Sequence, residues 1–313
     1  MPLAAASLAL AIGPPLLAPD LRSDLDLTLD ELTRLLALAE QVKRSPADFA
    51  HALAGRYLSL LFEKPSLRTR LTFDLAIQQL GGGAVTQVGP IGDREPLADI
   101  ARNLDRWTHG IVARVFSQTT IDELARWSRV PVINALSDIY HPCQILADVQ
   151  TIQERFGRWA GLKLAYVGDG NNIAHSLLLT AGRLGIHIAI AYPPGYAPAP
   201  SVVEAARQAG VSFELTSDPR QAVDNAHIVY TDVWASMGQE AEALDRQQIF
   251  APYQVNAPLL AAARPDAIFL HCLPAKRGQE VTDEVIESAQ SAVFDQAENR
   301  LHAQKALLLL LIK

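Results

Sequence analysis

The stretch Tyr57-Leu58-Ser59-Leu60-Leu61-Phe62-Glu63-Lys64-Pro65-Ser66-Leu67-Arg68-Thr69-Arg70 carries the chain from an apolar run into a helix. Tyr57 to Phe62 reads as a short buried strand. Leu67, Leu71, Ala76, Ile77 and Leu80 then keep a helical period until Gly81-Gly82-Gly83 ends it. The polar turn between them places two hydroxyls and two guanidiniums at a helix start, where free backbone N–H groups attract anions. Ser66 and Thr69 add hydroxyl donors, Arg68 and Arg70 add bidentate guanidinium contacts, and together they predict a phosphate seat. A plainer alternative is a capped surface helix whose Arg70 pairs with Asp74 one turn later. It is the weaker one, because it leaves Arg68 and both hydroxyls crowded at the helix start.

From this turn outward, short β-rich runs alternate with helical ones. Strands are expected at Ala84 to Val88, Ile111 to Phe116, Val130 to Asn134, Leu162 to Val167, Ile186 to Tyr192, Val211 to Leu215, His227 to Thr231 and Ala267 to Leu270. Such alternation predicts an α/β chain of two domains, each a parallel sheet flanked by helices. A first helix follows the capping-box pattern Thr28-Leu29-Asp30-Glu31. A long helix from His141 to Arg155 links the two groups of strands, so the division is expected as residues 1–146 and 147–313. The last helix, from Gln296 to Ile312, has no strand after it and is expected to pack back on the first domain.

Composition narrows the partners. With 313 residues, 49% of them apolar, the chain can bury two ordinary cores, and its net charge of −7 argues against nucleic acid or an anionic membrane surface as a partner. Any anion must be held by a local cluster. Two cysteines, Cys143 and Cys272, form no framework of paired spacings and fit a reducing cytoplasm. The apolar stretch Pro2 to Ile12 resembles the core of an export signal, but no Lys or Arg precedes Arg22, so secretion is not expected. The terminal run Leu307 to Ile312 is too short to span a bilayer and reads as a packed helix.

The unusual polar residues collect where strands end, which is where open parallel sheets bind ligands. Ser66 follows the first strand, Arg114 lies inside Ile111-Val112-Ala113-Arg114-Val115-Phe116, and His141-Pro142-Cys143-Gln144 follows the Val130 to Asn134 run. In the second half, Gly168-Asp169-Gly170-Asn171-Asn172, Asp232, and His271-Cys272-Leu273-Pro274 each follow an expected strand. Two half-sites facing one cleft are the expectation. An Arg in an apolar strand is costly unless paired, which favours an anion partner for Arg114 over a structural ion pair. His141 either caps the helix that it opens or hydrogen-bonds substrate, and its place beside an arginine-rich anion site favours the second. Gly168-x-Gly170 lacks the third glycine of a dinucleotide turn, since Ile173 stands there, and the next strand ends without a ribose-binding acid; nicotinamide binding is disfavoured. No Gly-x-x-x-x-Gly-Lys-Ser/Thr loop is present, which counts against nucleoside triphosphate hydrolysis. His271-Cys272 alone does not supply a metal's ligand set. The run Asp232-Val233-Trp234-Ala235-Ser236-Met237-Gly238 reads equally as a mobile substrate loop and as a solvated turn with an anchoring Trp.

Taken in order, Phe62-Glu63-Lys64-Pro65-Ser66-Leu67-Arg68-Thr69-Arg70, His141-Pro142-Cys143-Gln144, Gly168-Asp169-Gly170-Asn171-Asn172, Asp232-x-Trp234-x-Ser236-Met237-Gly238 and His271-Cys272-Leu273-Pro274 make the chain resemble the ornithine carbamoyltransferases, within the aspartate/ornithine carbamoyltransferase superfamily. The resemblance covers nearly the whole chain. It implies that the first domain binds carbamoyl phosphate through Ser66, Leu67, Arg68 and Thr69, with Arg114, His141 and Gln144 completing the pocket and Gln87 reaching it from a neighbouring subunit. It implies L-ornithine on Asn172, Asp232, Ser236 and Met237, with Cys272, Leu273 and Arg300 lining the reaction centre. Arg68, Arg114, His141, Asp232 and Cys272 form the implied catalytic set. The implied reaction is direct attack of a neutral δ-amine on the carbamoyl carbon, through a tetrahedral intermediate, with no cofactor, metal or covalent intermediate. A homotrimer or an assembly of trimers is the implied state.

Leu67 departs from the pattern. Many ornithine enzymes have Thr in this slot, and Leu or Met there also occurs in relatives that act on acylated ornithine. The departure bears on the acceptor, with N-acylated ornithine or putrescine as rivals, more than on the reaction. A non-catalytic binding protein of the same fold is the remaining alternative, and the joint presence of Arg68, Thr69, His141, Asp232 and Cys272 speaks against it.

Overall fold

The computed structural model describes residues 5–235 and 242–312. The chain divides into two compact units, residues 1–150 with 298–313, and residues 151–297. The first holds β1 (Tyr57–Phe62), β2 (Gly83–Val88), β3 (Gly110–Arg114) and β4 (Val132–Leu136) in the order β2-β1-β3-β4, every neighbouring pair parallel. The second holds β5 (Lys163–Val167), β6 (His187–Ala191), β7 (Phe213–Thr216), β8 (Ile228–Thr231) and β9 (Ile268–His271) in the order β7-β6-β5-β8-β9, again parallel. The expected two-sheet α/β architecture is what the chain forms.

Strand order decides where a ligand can sit. In the first sheet the winding reverses between β1 and β3, and in the second between β5 and β8. A parallel sheet opens a crevice beyond its carboxyl ends at such a switch point. The Phe62–Ser66 turn and Arg114 lie at the first, and Gly168 to Asn172 and Asp232 lie at the second.

The central strands are buried on both faces, which is why they read as continuous apolar runs: Leu58, Leu60, Ile111, Val112, Leu164, Ile188 and Val229 are all fully buried. Edge strand β2 differs, with Val85 and Val88 exposed, and edge strand β7 is half-buried throughout. Strand β3 is shorter than expected. It ends at Arg114, where the register against β4 shifts between Ala113 and Arg114, so this arginine closes the strand instead of lying inside it. Beyond it the Phe116 N–H donates to Glu63 Oε2 at 2.6 Å.

The last helix, Val293–Leu311, carries the leucine run into the core of the first unit, with Leu307 and Leu308 fully buried. Ile312 packs on the start of β3 so closely that a Cβ on Gly110 would lie 2.6 Å from its Cδ1. None of the described helices is long and apolar enough to cross a membrane. Residues 147–150 and 298–313 therefore join the first unit, beyond the expected 1–146 segment, because two helices, Pro142–Phe156 and Val293–Leu311, run through the division.

Helix Leu29–Arg44 begins with the capping box that the sequence signals. The Glu31 N–H donates to Thr28 Oγ1 at 3.2 Å, and Glu31 Oε2 accepts the Thr28 N–H at 2.9 Å. Burial alone would raise the Glu31 pKa; donors from Leu17 and Thr28 outweigh it and hold the carboxyl below its ordinary range. Thr28→Ala removes one side of the box and is expected to cost about 1 kcal/mol. A lowered urea midpoint with unchanged slope checks this, and an unchanged midpoint would contradict it.

Candidate active site

Around the first switch point, one guanidinium gathers three helices. Arg300, on helix Val293–Leu311, donates from Nη1 to Gln144 Oε1 at 2.5 Å and from Nη2 to Thr69 Oγ1 at 3.1 Å. Gln144, near the start of helix Pro142–Phe156, passes the contact on by donating to Asp148 Oδ1 at 2.8 Å. Thr69, Gln144 and Arg300 are all buried. Arg300, known from the sequence through the resemblance alone, thus belongs with the residues read directly.

His141 is buried beside this group. Burial, then the positive charges of Arg300 and Arg114, push its pKa well below the ordinary imidazole value. It is therefore a neutral ring near neutral pH, a hydrogen-bonding group and not a cation. Cys143 is a different case: its thiol donates to the Asn134 carbonyl at 3.3 Å, and burial above all pushes its pKa up to about 12. That thiol is inert packing.

Ser66 is the N-cap residue of helix Leu67–Gln79, yet its hydroxyl makes no capping bond. The Ser66 hydroxyl thus does not compete for the first-turn N–H groups of that helix, which attract anions. Arg68 is half-buried in the same turn, whereas the Leu67 side chain is 66% exposed. Among the described residues Arg70 forms no ion pair, and Asp74 instead accepts from Gln78 Nε2 at 2.8 Å. The plainer surface-helix alternative thus lacks its defining contact. Gln87 is outside the Arg300 network, exposed on edge strand β2.

In the second unit, Asp232 follows β8 and is the hub. Its Oδ2 accepts from Asn171 Nδ2 at 2.8 Å, and its Oδ1 accepts from the Cys272 thiol at 3.0 Å. Asn171 also caps helix Asn172–Ser176 by accepting the N–H groups of Ile173 and Ala174, and it takes a bond from the Tyr166 hydroxyl at 3.2 Å. Burial, reinforced by the Asp232 and Asp169 charges, raises the Tyr166 pKa well above its ordinary value, so the phenol keeps its proton. Asn172 is buried at the start of that helix. Gly170 is dictated by space: a Cβ there would lie 2.2 Å from the Pro198 backbone nitrogen.

Asp169, of the same turn, accepts from Arg246 Nη1 at 2.8 Å. Burial still raises its pKa, with Arg246 opposing. Arg246 also donates to the Trp234 carbonyl at 2.8 Å and lies 4.8 Å from the Tyr196 ring centroid. Ser236 and Met237 lie outside the described residues, so the Ser236-Met237-Gly238 segment has no structural account.

Asp232, His271 and Cys272 have potential ligand atoms within 4.8 Å of one another. The donor set does not suit a metal. His271 Nδ1 accepts the Leu273 N–H at 2.8 Å and Nε2 faces Glu280 Oε1 at 3.1 Å, so both ring nitrogens are engaged and only a carboxylate and a thiol remain. Sequence reading missed Tyr166, Asn171 and Arg246. Asn171 carried a legible signal, since Asn before an apolar helical run is an N-cap pattern. Arg246 carried one only for Glu242, four residues earlier, and none for Asp169, 77 residues away.

Two family comparisons cover both units. Residues 20–154 match the family described as aspartate/ornithine carbamoyltransferase, carbamoyl-P binding domain, and residues 160–311 match its Asp/Orn binding domain. A curated ornithine carbamoyltransferase of Thermococcus kodakarensis is 52% identical over 296 residues, covering 92% of this chain and 94% of that protein. The solved ornithine carbamoyltransferase of Pyrococcus furiosus superposes with a TM-score of 0.92 at 47% identity, covering 96% of this chain and 99% of its own. An acetylornithine transcarbamylase complexed with acetylcitrulline superposes with a TM-score of 0.84 at 30% identity, covering 94% and 99% of the two chains. The chain belongs to the aspartate/ornithine carbamoyltransferase family.

Proposed function

We propose that the protein transfers the carbamoyl group of carbamoyl phosphate to the δ-amine of L-ornithine, giving L-citrulline and phosphate. The observation that carries this reading is the uncapped helix start at Ser66, with Arg68 in its first turn and Thr69 fixed by Arg300. Helix-start N–H groups and a guanidinium suit a phosphate dianion. The relatives' names supply the acceptor, and the buried Asp232 carboxylate supplies a group that can orient an amine.

In this mechanism the δ-nitrogen attacks the carbamoyl carbon as the free amine. A C–N bond forms, the C–O bond to phosphate breaks, and the nitrogen loses one proton. An alkyl amine has an ordinary pKa of about 10.4, so the site must favour the deprotonated form. We assign amine orientation to Asp232 and Cys272, with Asn172, Ser236 and Met237 holding the rest of ornithine. Arg68 and Arg114 oppose the phosphate charge, and neutral His141 donates a hydrogen bond to the carbamoyl oxygen as negative charge grows there. A well-placed donor of this kind is worth about 3 kcal/mol. Ser66, Thr69, Gln144, Leu273 and the backbone of residue 67 complete the carbamoyl phosphate contacts. The outward Leu67 side chain fits a backbone-only role, which leaves phosphate binding independent of the Thr-to-Leu departure.

The finer setting belongs to the same reading. Val85 and Val88 on edge strand β2, and Leu71 and Leu75 on the neighbouring helix Leu67–Gln79, leave exposed apolar side chains along this edge of the sheet. Such an edge calls for a cover. A second copy of the chain as that cover, in a homotrimer, would also let Gln87 serve a neighbour's site. Two free cysteines suit a reducing cytoplasm, and the anabolic name of the Pyrococcus furiosus relative suits arginine biosynthesis.

The acceptor is tested by citrulline formation from carbamoyl phosphate with L-ornithine, beside putrescine, N-acetylornithine and aspartate. Activity confined to ornithine is expected; preference for N-acetylornithine would shift the reading to the acylated acceptor that Leu67 leaves open. Arg68→Ala is expected to fold and to lose turnover by about 100-fold or more, and near-normal transfer would sink the phosphate-seat assignment. For His141, the sign follows from its lowered pKa. Below about pH 6.5 the unfolded chain binds a proton that the folded chain refuses, so stability falls on acidification. The urea midpoint of the parent should therefore drop more steeply from pH 7 to about pH 5 than that of His141→Asn, and parallel curves would contradict the neutral-ring assignment.

A further inference from the structure

The reaction proposed above makes no use of one buried polar pair. His271 closes β9, and Glu280 lies in the turn between the bridged residues Arg277 and Val281. Both side chains are 0% exposed. The Leu273 backbone N–H donates to His271 Nδ1 at 2.8 Å, so that nitrogen presents its lone pair and the ring proton sits on Nε2. Nε2 donates to Glu280 Oε1 at 3.1 Å, and the same oxygen accepts the Lys276 N–H at 2.5 Å. His271 is held independently at its own backbone, where its N–H donates to Gln296 Oε1 at 2.9 Å, and Gln296 Nε2 is 3.1 Å from the Tyr230 hydroxyl.

Between these anchors Leu273 sits at a φ of 57°, a left-handed backbone that a side chain disfavours. Something must hold it there, and the acceptor on its N–H is the His271 ring. Glu280 Oε2 is buried with no hydrogen-bond partner among the described residues. A carboxylate in such a place is costly, and what it supplies is an acceptor for two buried donors, the His271 Nε2–H and the Lys276 N–H.

We propose that Glu280 is a positioning residue for carbamoyl transfer: through the His271 imidazole it fixes the Cys272–Leu273 backbone in its left-handed turn and keeps the Cys272 thiol on Asp232. Glu280 sets the ring's tautomer, the ring sets the Leu273 N–H, and the turn sets the 3.0 Å contact between Cys272 Sγ and Asp232 Oδ1. The role rests on the proposed function, in which Cys272 and Leu273 line the reaction centre.

The test pairs spectroscopy with kinetics. Nitrogen-15 NMR of imidazole-labelled parent protein should find His271 neutral with its proton on Nε2. Glu280→Met keeps the volume but removes the acceptor of both the His271 Nε2–H and the Lys276 N–H, so its thermal midpoint should fall, and kcat for citrulline formation, measured below that midpoint, should fall about tenfold or more. Glu280→Gln keeps an acceptor oxygen and should stay within about threefold of the parent. A proton on Nδ1 in the parent would overturn the proposal whether or not any variant folds. So would Glu280→Met turning over within about threefold of the parent, or Glu280→Gln as slow as Glu280→Met. A parent that forms no citrulline yet shows the Nε2–H tautomer would instead count against the proposed function, leaving the turn's support in place.

Discussion

The two hydrogen bonds from Arg300 hold together what the first unit needs at its switch point. They bring the last helix, the start of helix Leu67–Gln79 and the start of helix Pro142–Phe156 to one guanidinium. A buried cation with too few partners is costly, while charge-assisted bonds recover about 1.5–3 kcal/mol each. Each helix therefore has a fixed place relative to the other two. Burial first, and then the same positive charge with that of Arg114, keeps His141 neutral. One arginine thus ties three helices together and adds to what holds its neighbour unprotonated.

The second unit solves a related problem with the opposite sign. Asp232 is a buried carboxylate satisfied by neutral donors, the Asn171 amide and the Cys272 thiol. Among the described residues no guanidinium pairs with it, which leaves this carboxylate suited to an amine. The arginine nearby in the fold, Arg246, is committed to Asp169, Glu242 and the Trp234 carbonyl. Separate local packing thus gathers cationic groups in one unit and an anionic hub in the other.

Much of this was legible in the sequence because strand and helix periods are local. Tyr57 to Phe62 forms strand β1 as read, the Thr28–Glu31 box caps its helix, and the other eight expected strands appear with shifted ends. Arg114 was misplaced by two residues relative to the strand's end because a register shift depends on the neighbouring strand, which a single run of residues does not encode. The polar residues at strand ends were legible because charge in an apolar run is conspicuous. Their partners were not. Arg300 meets Thr69 across 231 residues, Arg246 meets Asp169 across 77, and the His271–Glu280 pair depends on a turn that neither residue signals alone. Hydrogen bonds between distant positions follow from the completed fold, so only the family resemblance brought Arg300 forward.

The most direct test of this organisation is calorimetric titration of inorganic phosphate into the parent and Arg300→Lys. Lysine keeps the charge but cannot span Gln144 and Thr69 with a rigid fork. If Arg300 organises the seat, phosphate binding should weaken by about tenfold or more while the circular dichroism spectrum is unchanged. Equal affinity in a folded Arg300→Lys protein would contradict the claim that this guanidinium builds the anion site.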